Sequence, residues 1–201
     1  MKIVLSGVVG VGKSTISNQL ATKLKFKIMD EPVASNPYLD DFYAHPLQYA
    51  FKMQIFMLMA RSKQLKFAQT LDNVIFDRSI LEDPIFVEVL KIQNNISIRD
   101  YQVYCNFYQY VISSALYFDP QLKPDLIIYL KATVDTTIER IKLRGRQSEK
   151  NVPRAYWELL NQEYERWYQT EKNNFNFLVI DTNNITQTQI IDKIMNYLQI
   201  N

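Results

Sequence analysis

Residues Gly7-Val8-Val9-Gly10-Val11-Gly12-Lys13-Ser14 follow the pattern G-x-x-x-x-G-K-[ST]. They come directly after the apolar run Lys2–Ser6 and directly before a stretch in which Ile16, Leu20 and Leu24 recur every four residues. The chemistry needs that context. Glycines let successive backbone N–H groups turn towards one set of phosphates, and the N-terminus of the next helix adds its dipole. Lys13 brings a mobile cation to the β- and γ-phosphates, and the Ser14 hydroxyl is a ligand for Mg2+. A nucleoside triphosphate is therefore expected on Gly7–Thr15. A glycine-rich turn without ligand is the bland alternative, which the complete strand–loop–helix setting disfavours. Asp77, ending the apolar run Val74–Asp77, is the candidate second carboxylate near the metal; taken alone it reads equally well as a helix cap.

Two classes of phosphate-loop protein compete: a switch or motor that hydrolyses the nucleotide, and a kinase that passes the γ-phosphate to a small acceptor. The strings Asn-Lys-x-Asp and Asp-x-x-Gly that a GTPase needs do not occur. A kinase needs an acceptor base and a cationic lid, and both have candidates. Glu31 follows the second apolar run, where Pro32 keeps the chain out of helix and a carboxylate can take a proton from an attacking hydroxyl. A plain Glu-Pro turn is the alternative. Arg140 and Arg144 lie one turn apart, and Gly145 lets Arg146 leave the helix end; clustered arginines there suit a migrating phosphoryl group. A solvated helix terminus with cations near its C-terminal dipole is the alternative.

These side chains need a scaffold, and the rest of the chain supplies one. Lys2–Ser6, Phe26–Asp30, Val74–Asp77, Leu126–Leu130 and Phe177–Asp181 are apolar on both faces, as strands inside a parallel sheet are. Helical patterns separate them: the run after the glycine loop, Pro46–Leu71, the stripe from Tyr156 to Tyr168, and Ile190 to Leu198. The expectation is an α/β fold of three layers, a five-stranded parallel sheet flanked by helices, in a single domain over residues 1–201 with a lid at about 140–152.

Composition narrows the function further. A net charge of +2 gives no argument for a nucleic-acid partner or an anionic membrane. Cys105 and His45 are single, which rules out an intrachain disulfide and makes Ser-His or Cys-His catalysis improbable; His45, beside Pro46, reads as a solvated loop residue. The apolar segment Ile3–Val11 is broken by glycines and reads as strand and turn, and no run reaches the ~20 apolar residues of a membrane span. A cytoplasmic location is expected.

Taken together, the residues resemble the deoxyribonucleoside kinase family. The matching elements are the glycine loop, Glu31-Pro32-Val33, Phe51-Lys52-Met53-Gln54 with Arg61, Asp77-Arg78-Ser79 with Asp83, and the Arg140–Arg146 lid with Glu149. They keep the family's order over most of the chain. Asn36-Pro37-Tyr38 and Ala60-Arg61-Ser62-Lys63-Gln64-Leu65 look most like the bacterial, above all mycoplasmal, deoxyadenosine kinases. The resemblance implies ATP as donor and transfer to the 5′-hydroxyl of a deoxynucleoside, deoxyadenosine first, in nucleotide salvage. It implies Glu31 as general base with Arg78 beside it, Gln54 reading the nucleobase edge, and Arg61–Asp83 as a charged pair near the base. Tyr43 and Glu149 would hold the sugar 3′-hydroxyl, and Arg140, Arg144 and Arg146 would form the lid. Met53 and Met57 would line the base pocket. A homodimer is implied as well.

Thymidylate kinases share the loop, the Glu-Pro and the Asp-Arg, and form the second reading. They usually carry an arginine just before the Glu-Pro, where this chain has Asp30. A carboxylate there repels a monophosphate acceptor, whereas a neutral hydroxyl acceptor needs the base that Glu31 provides. The nucleoside is the expected acceptor.

Overall fold

Five doubly apolar runs become strands of one sheet in the computed structural model, which describes residues 1–113, 119–146, 149 and 152–199, with backbone alone at 111–113. They are β1 (Lys2–Ser6), β2 (Lys27–Met29), β3 (Val74–Asp77), β4 (Leu126–Lys131) and β5 (Phe177–Asp181). The helices are α1 (Lys13–Leu24), α2 (Leu39–Ala44), α3 (Pro46–Ala68), α4 (Asp83–Ile92), α5 (Ile98–Phe107), α6 (Val134–Arg144), α7 (Arg154–Glu171) and α8 (Gln187–Tyr197). Chain contacts gather into two compact units. Met1–Asp30, Asn73–Arg78 and Pro124–Asn201 hold the sheet; Glu31–Asp72 and Ser79–Lys123 form a helical unit.

In the sheet unit the strand order is β2-β3-β1-β4-β5, and every pairing is parallel. Central β1 is covered on both faces: Ile3, Val4 and Leu5 are all essentially unexposed. Its C-terminal end therefore opens between β3 and β4, with Leu5 opposite both Asp77 and Ile128. That register sets the glycine loop beside the end of β3. α1 packs on β1, β2 and β3. From α7, Tyr164 stacks on Tyr129 of β4 at 6.2 Å between ring centroids, and Trp167 meets Phe177 of β5 edge-on at 5.5 Å. Each such aromatic pair adds about 0.5–1.5 kcal/mol beyond its buried area. The predicted α/β sheet flanked by helices is the fold observed.

Of the element ends that differ from the expectation, two have a clear local cause. β2 starts at Lys27 because Lys25 takes a left-handed conformation and the Phe26 N–H closes on Ala21 O, so Phe26 belongs to the cap of α1. α3 stops at Ala68, and the N–H groups of Gln69, Thr70 and Leu71 each bond three residues back in a tightened last turn.

In the helical unit, Pro46 opens α3, a position where its missing N–H costs no helical bond. The buried side chains of α3 are Ala50, Gln54, Met57, Leu58, Arg61 and Ala68, one stripe at three- and four-residue spacing. Before α4, Ser79 and Glu82 form a reciprocal capping box on the short turn Ile80–Glu82.

Candidate active site

Three glycines of the phosphate loop have positive φ: Gly7 at 136°, Gly10 at 86° and Gly12 at 99°. Gly7 also has no room for a side chain, since a Cβ there would lie 2.3 Å from Leu130 O. Lys13, buried in the first turn of α1, donates from Nζ to Gly7 O and Val8 O, both at 2.9 Å. Its ammonium is thus folded back over the loop, at the place where a phosphate chain would be held.

Arg78 follows β3 with φ of 70°, unusual for a residue with a Cβ and costing roughly 1–2 kcal/mol. Three contacts enforce it. Its N–H donates to Leu5 O at 3.0 Å. Its guanidinium donates from Nη2 to Gly7 O at 3.3 Å, and from Nη1 to the Tyr164 hydroxyl. Backbone strain and buried partners together aim this cation at the start of the phosphate loop. Tyr164 went unnoticed in the sequence because it belongs to an aromatic stripe that packing alone explains.

Asp77 is buried at 3 % exposure, and its Oδ1 has no hydrogen-bond partner. A buried carboxylate oxygen left without a donor is what a cation would satisfy. Ser14 is exposed at the start of α1. Among the described residues no three His, Cys, Asp or Glu side chains cluster. The donor set fits Mg2+, which takes one or two protein oxygens and completes its shell with phosphate and water.

In the lid, Thr133 caps α6 by accepting from the Thr136 N–H, and Gly145 ends it in a left-handed conformation at φ 70°. Arg140 turns back from α6 to Thr182, whereas Arg144 reaches forward to Glu149 at 2.6 Å. Arg146 lies 3.8 Å from the same carboxylate. Glu149 is therefore held by two of the three expected lid arginines. Positions 147, 148, 150 and 151 of the predicted lid lie outside the described residues.

The helical unit brings together three residues far apart in sequence. Arg61 donates from Nη2 to Glu31 Oε1 at 3.0 Å and from Nη1 makes an ion pair with Asp83. Arg61 and Asp83 are buried and Glu31 is 27 % exposed along its side chain. One desolvated cation serves two carboxylates, of which only Glu31 reaches solvent. Gln54 lies two turns before Arg61 on the same stripe, 5 % exposed, and its amide makes no hydrogen bond to another described residue. Met57 is buried and Met53 half-buried near it on α3, while Tyr43 on α2 is 46 % exposed beside Phe42. The sequence reading also missed Tyr104. Its hydroxyl is fully buried without a hydrogen bond, and burial raises its pKa far above the usual tyrosine value against the opposing charge of Arg61. His45 is exposed.

A parallel sheet whose central strand runs into a lysine-bearing glycine loop, with an arginine pinned to that loop, defines a phosphate-loop nucleotide-binding protein. The model of the family "Deoxynucleoside kinase" matches residues 3–200, and this chain belongs to that family. The deoxyadenosine/deoxycytidine kinase of Bacillus subtilis is 36 % identical over 167 residues, covering 82 % of this chain and 75 % of that protein. Deoxyadenosine kinase from M. mycoides, in a structure with bound dCTP, superposes with a TM-score of 0.88 at 44 % identity over 99 % of both chains. A second structure of that enzyme, with bound dATP, gives 0.89 and 45 %, over 99 % of this chain and all of the other. Family membership makes the chain an ATP-dependent deoxynucleoside kinase and decides against the thymidylate-kinase reading. No helix among the described residues is long and apolar enough to cross a membrane.

Proposed function

We propose that this chain phosphorylates deoxyadenosine in preference to other deoxynucleosides. ATP lies on Gly7–Thr15, with Lys13 on its β- and γ-phosphates and Arg144 and Arg146 closing from the lid, Arg140 behind them. Glu31 takes the proton of the 5′-hydroxyl as the 5′-oxygen–phosphorus bond forms and the bond from the γ-phosphorus to the β,γ-bridging oxygen breaks. Arg78 stabilises charge on the reacting oxygens. Ser14 and Asp77 hold Mg2+, which when bound neutralises charge on the phosphates. Gln54 reads the base, its amide offering one donor and one acceptor edge. Tyr43 and Glu149 take the 3′-hydroxyl.

The observation that carries the reading is the ion-paired set of Glu31, Arg61 and Asp83. It joins the acceptor-side base to the charged pair expected beside the nucleobase, and so orients the reacting carboxylate from within the acceptor pocket. The likeness to the deoxyadenosine kinase of M. mycoides, 44–45 % identical over 99 % of this chain, supports deoxyadenosine as acceptor. The same reading makes the protein a cytoplasmic salvage enzyme. It acts as a homodimer on small molecules rather than nucleic acid, with residues 1–201 as one kinase domain.

Steady-state kinetics with the four natural deoxynucleosides tests the assignment. Deoxyadenosine should give the highest kcat/KM, deoxyguanosine and deoxycytidine lower values, and thymidine the lowest. A higher value for thymidine than for deoxyadenosine refutes it.

A further inference from the structure

Thr182 follows β5 and is completely buried. Its hydroxyl donates to Lys131 O, at the end of β4, over 2.9 Å and accepts from Arg140 Nη1 over 2.9 Å. Arg140 Nη2 donates to the Thr182 carbonyl at 2.6 Å. The Thr182 N–H also returns to Lys131 O, at 2.8 Å.

A hydroxyl has a single proton to give. Lys131 O takes it, which leaves a lone pair of Thr182 pointed at Arg140. The planar guanidinium grips one residue at two points, a geometry that a lysine cannot copy. Charge-assisted bonds beside a side chain with no solvent exposure are strong and directional. They tie the second turn of α6 to the ends of β4 and β5.

Arg144 lies one turn further along the same helix and reaches Glu149 instead. The lid arginines thus fall into two kinds. Arg140 has both terminal nitrogens engaged with the sheet end. Arg144 and Arg146 extend beyond that anchor and share an acidic partner that a phosphate chain can replace.

We propose that Thr182 is a positioning residue for phosphoryl transfer: through Arg140 it fixes α6 on the ends of β4 and β5 and thereby aims Arg144 and Arg146 at the phosphates of the donor. The inference rests on the kinase reading above, and it gives Arg140 the part of an anchor rather than of a phosphate ligand.

The test is kinetics of the full-length enzyme with ATP and deoxyadenosine. Thr182→Val keeps the side-chain shape and the backbone carbonyl but deletes the hydroxyl. It should lower kcat/KM for ATP about 3–10-fold, less than the full worth of one charge-assisted hydrogen bond because the hydroxyl acts through Arg140, with KM for deoxyadenosine unmoved. Thr182→Ser should restore most of that loss. Arg140→Lys keeps the charge without the two-point grip and should copy Thr182→Val, so the idea stays testable if the valine variant does not fold. Adding Thr182→Val to Arg144→Gln should cost less than it does alone, because the hydroxyl acts through the arginines it aims. A KM for deoxyadenosine raised as much as kcat/KM for ATP falls, or a serine variant no better than valine, would mean a merely structural threonine and overturn the proposal. Wild-type enzyme without ATP-dependent activity, or Arg144→Gln with unchanged kinetics, would instead sink the kinase reading beneath it.

Discussion

Arg61 Nη2 lies 3.0 Å from Glu31 Oε1, so the carboxylate expected to take the acceptor proton is oriented by a buried cation thirty positions further along the chain. The other end of the same guanidinium holds Asp83, which has no solvent exposure. Breaking such a buried pair from one side is costly, because the remaining charge has neither water nor partner. Arg61→Met should therefore destabilise the protein by about 3–5 kcal/mol. The double change Arg61→Met with Asp83→Asn should recover much of the stability, since no buried charge is left over, while the activity stays low. Urea denaturation of the single and double variants reads the first part, and a double variant no more stable than Arg61→Met alone would contradict it.

Lys13→Ala and Glu31→Gln should both abolish most turnover but separate in binding. Lys13→Ala removes the cation folded over Gly7 O and Val8 O and should weaken ATP. Glu31→Gln should leave ATP affinity near wild type and reduce kcat by about 10²–10⁴-fold, the usual worth of a positioned general base. Calorimetric titration with ATP beside single-turnover kinetics distinguishes the two. A Glu31→Gln enzyme with wild-type kcat removes Glu31 from the mechanism.

Alanine in the phosphate loop should cost most at Gly7, less at Gly10 and least at Gly12. All three have positive φ, which costs an L-residue roughly 1–2 kcal/mol. At Gly7 the new Cβ also meets Leu130 O at 2.3 Å, and at Gly10 it meets Thr137 O at 3.0 Å; at Gly12 nothing stands within 4 Å. Thermal denaturation of the three variants gives the order directly, and equal losses would show that backbone strain alone decides.

The Glu165 carboxyl is held below its usual range by the hydrogen bond from Lys131 Nζ, with Gln169 adding a second. A folded-state pKa lowered in this way contributes stability above the unfolded value of about 4.3, and that contribution disappears as pH falls through the folded value. Both side chains are more than a third exposed, so solvent screening keeps the pair to about 0.2–1 kcal/mol. Glu165→Gln should lower the melting temperature slightly at pH 7, and the difference should shrink as pH falls below the unfolded value. A difference that stays constant as the pH falls would locate the effect in packing.

Local signals carried much of this protein. The phosphate loop was legible because its chemistry lies in eight consecutive residues, and the sheet because buried strands are apolar on both faces. Helical spacing puts Gln54 and Arg61 on one face of α3, but tertiary packing decided that this polar-bearing face is the buried one. Which distant side chains meet was settled only by the tertiary structure. Arg78 with Tyr164, Arg61 with Glu31, and Arg140 with Thr182 are separated by 86, 30 and 42 positions. Periodicity gives each residue a face on its own element but no partner on another. The partner follows from strand order, register and the left-handed turn at Arg78, where packing and buried hydrogen bonds outweigh the local preference of the backbone.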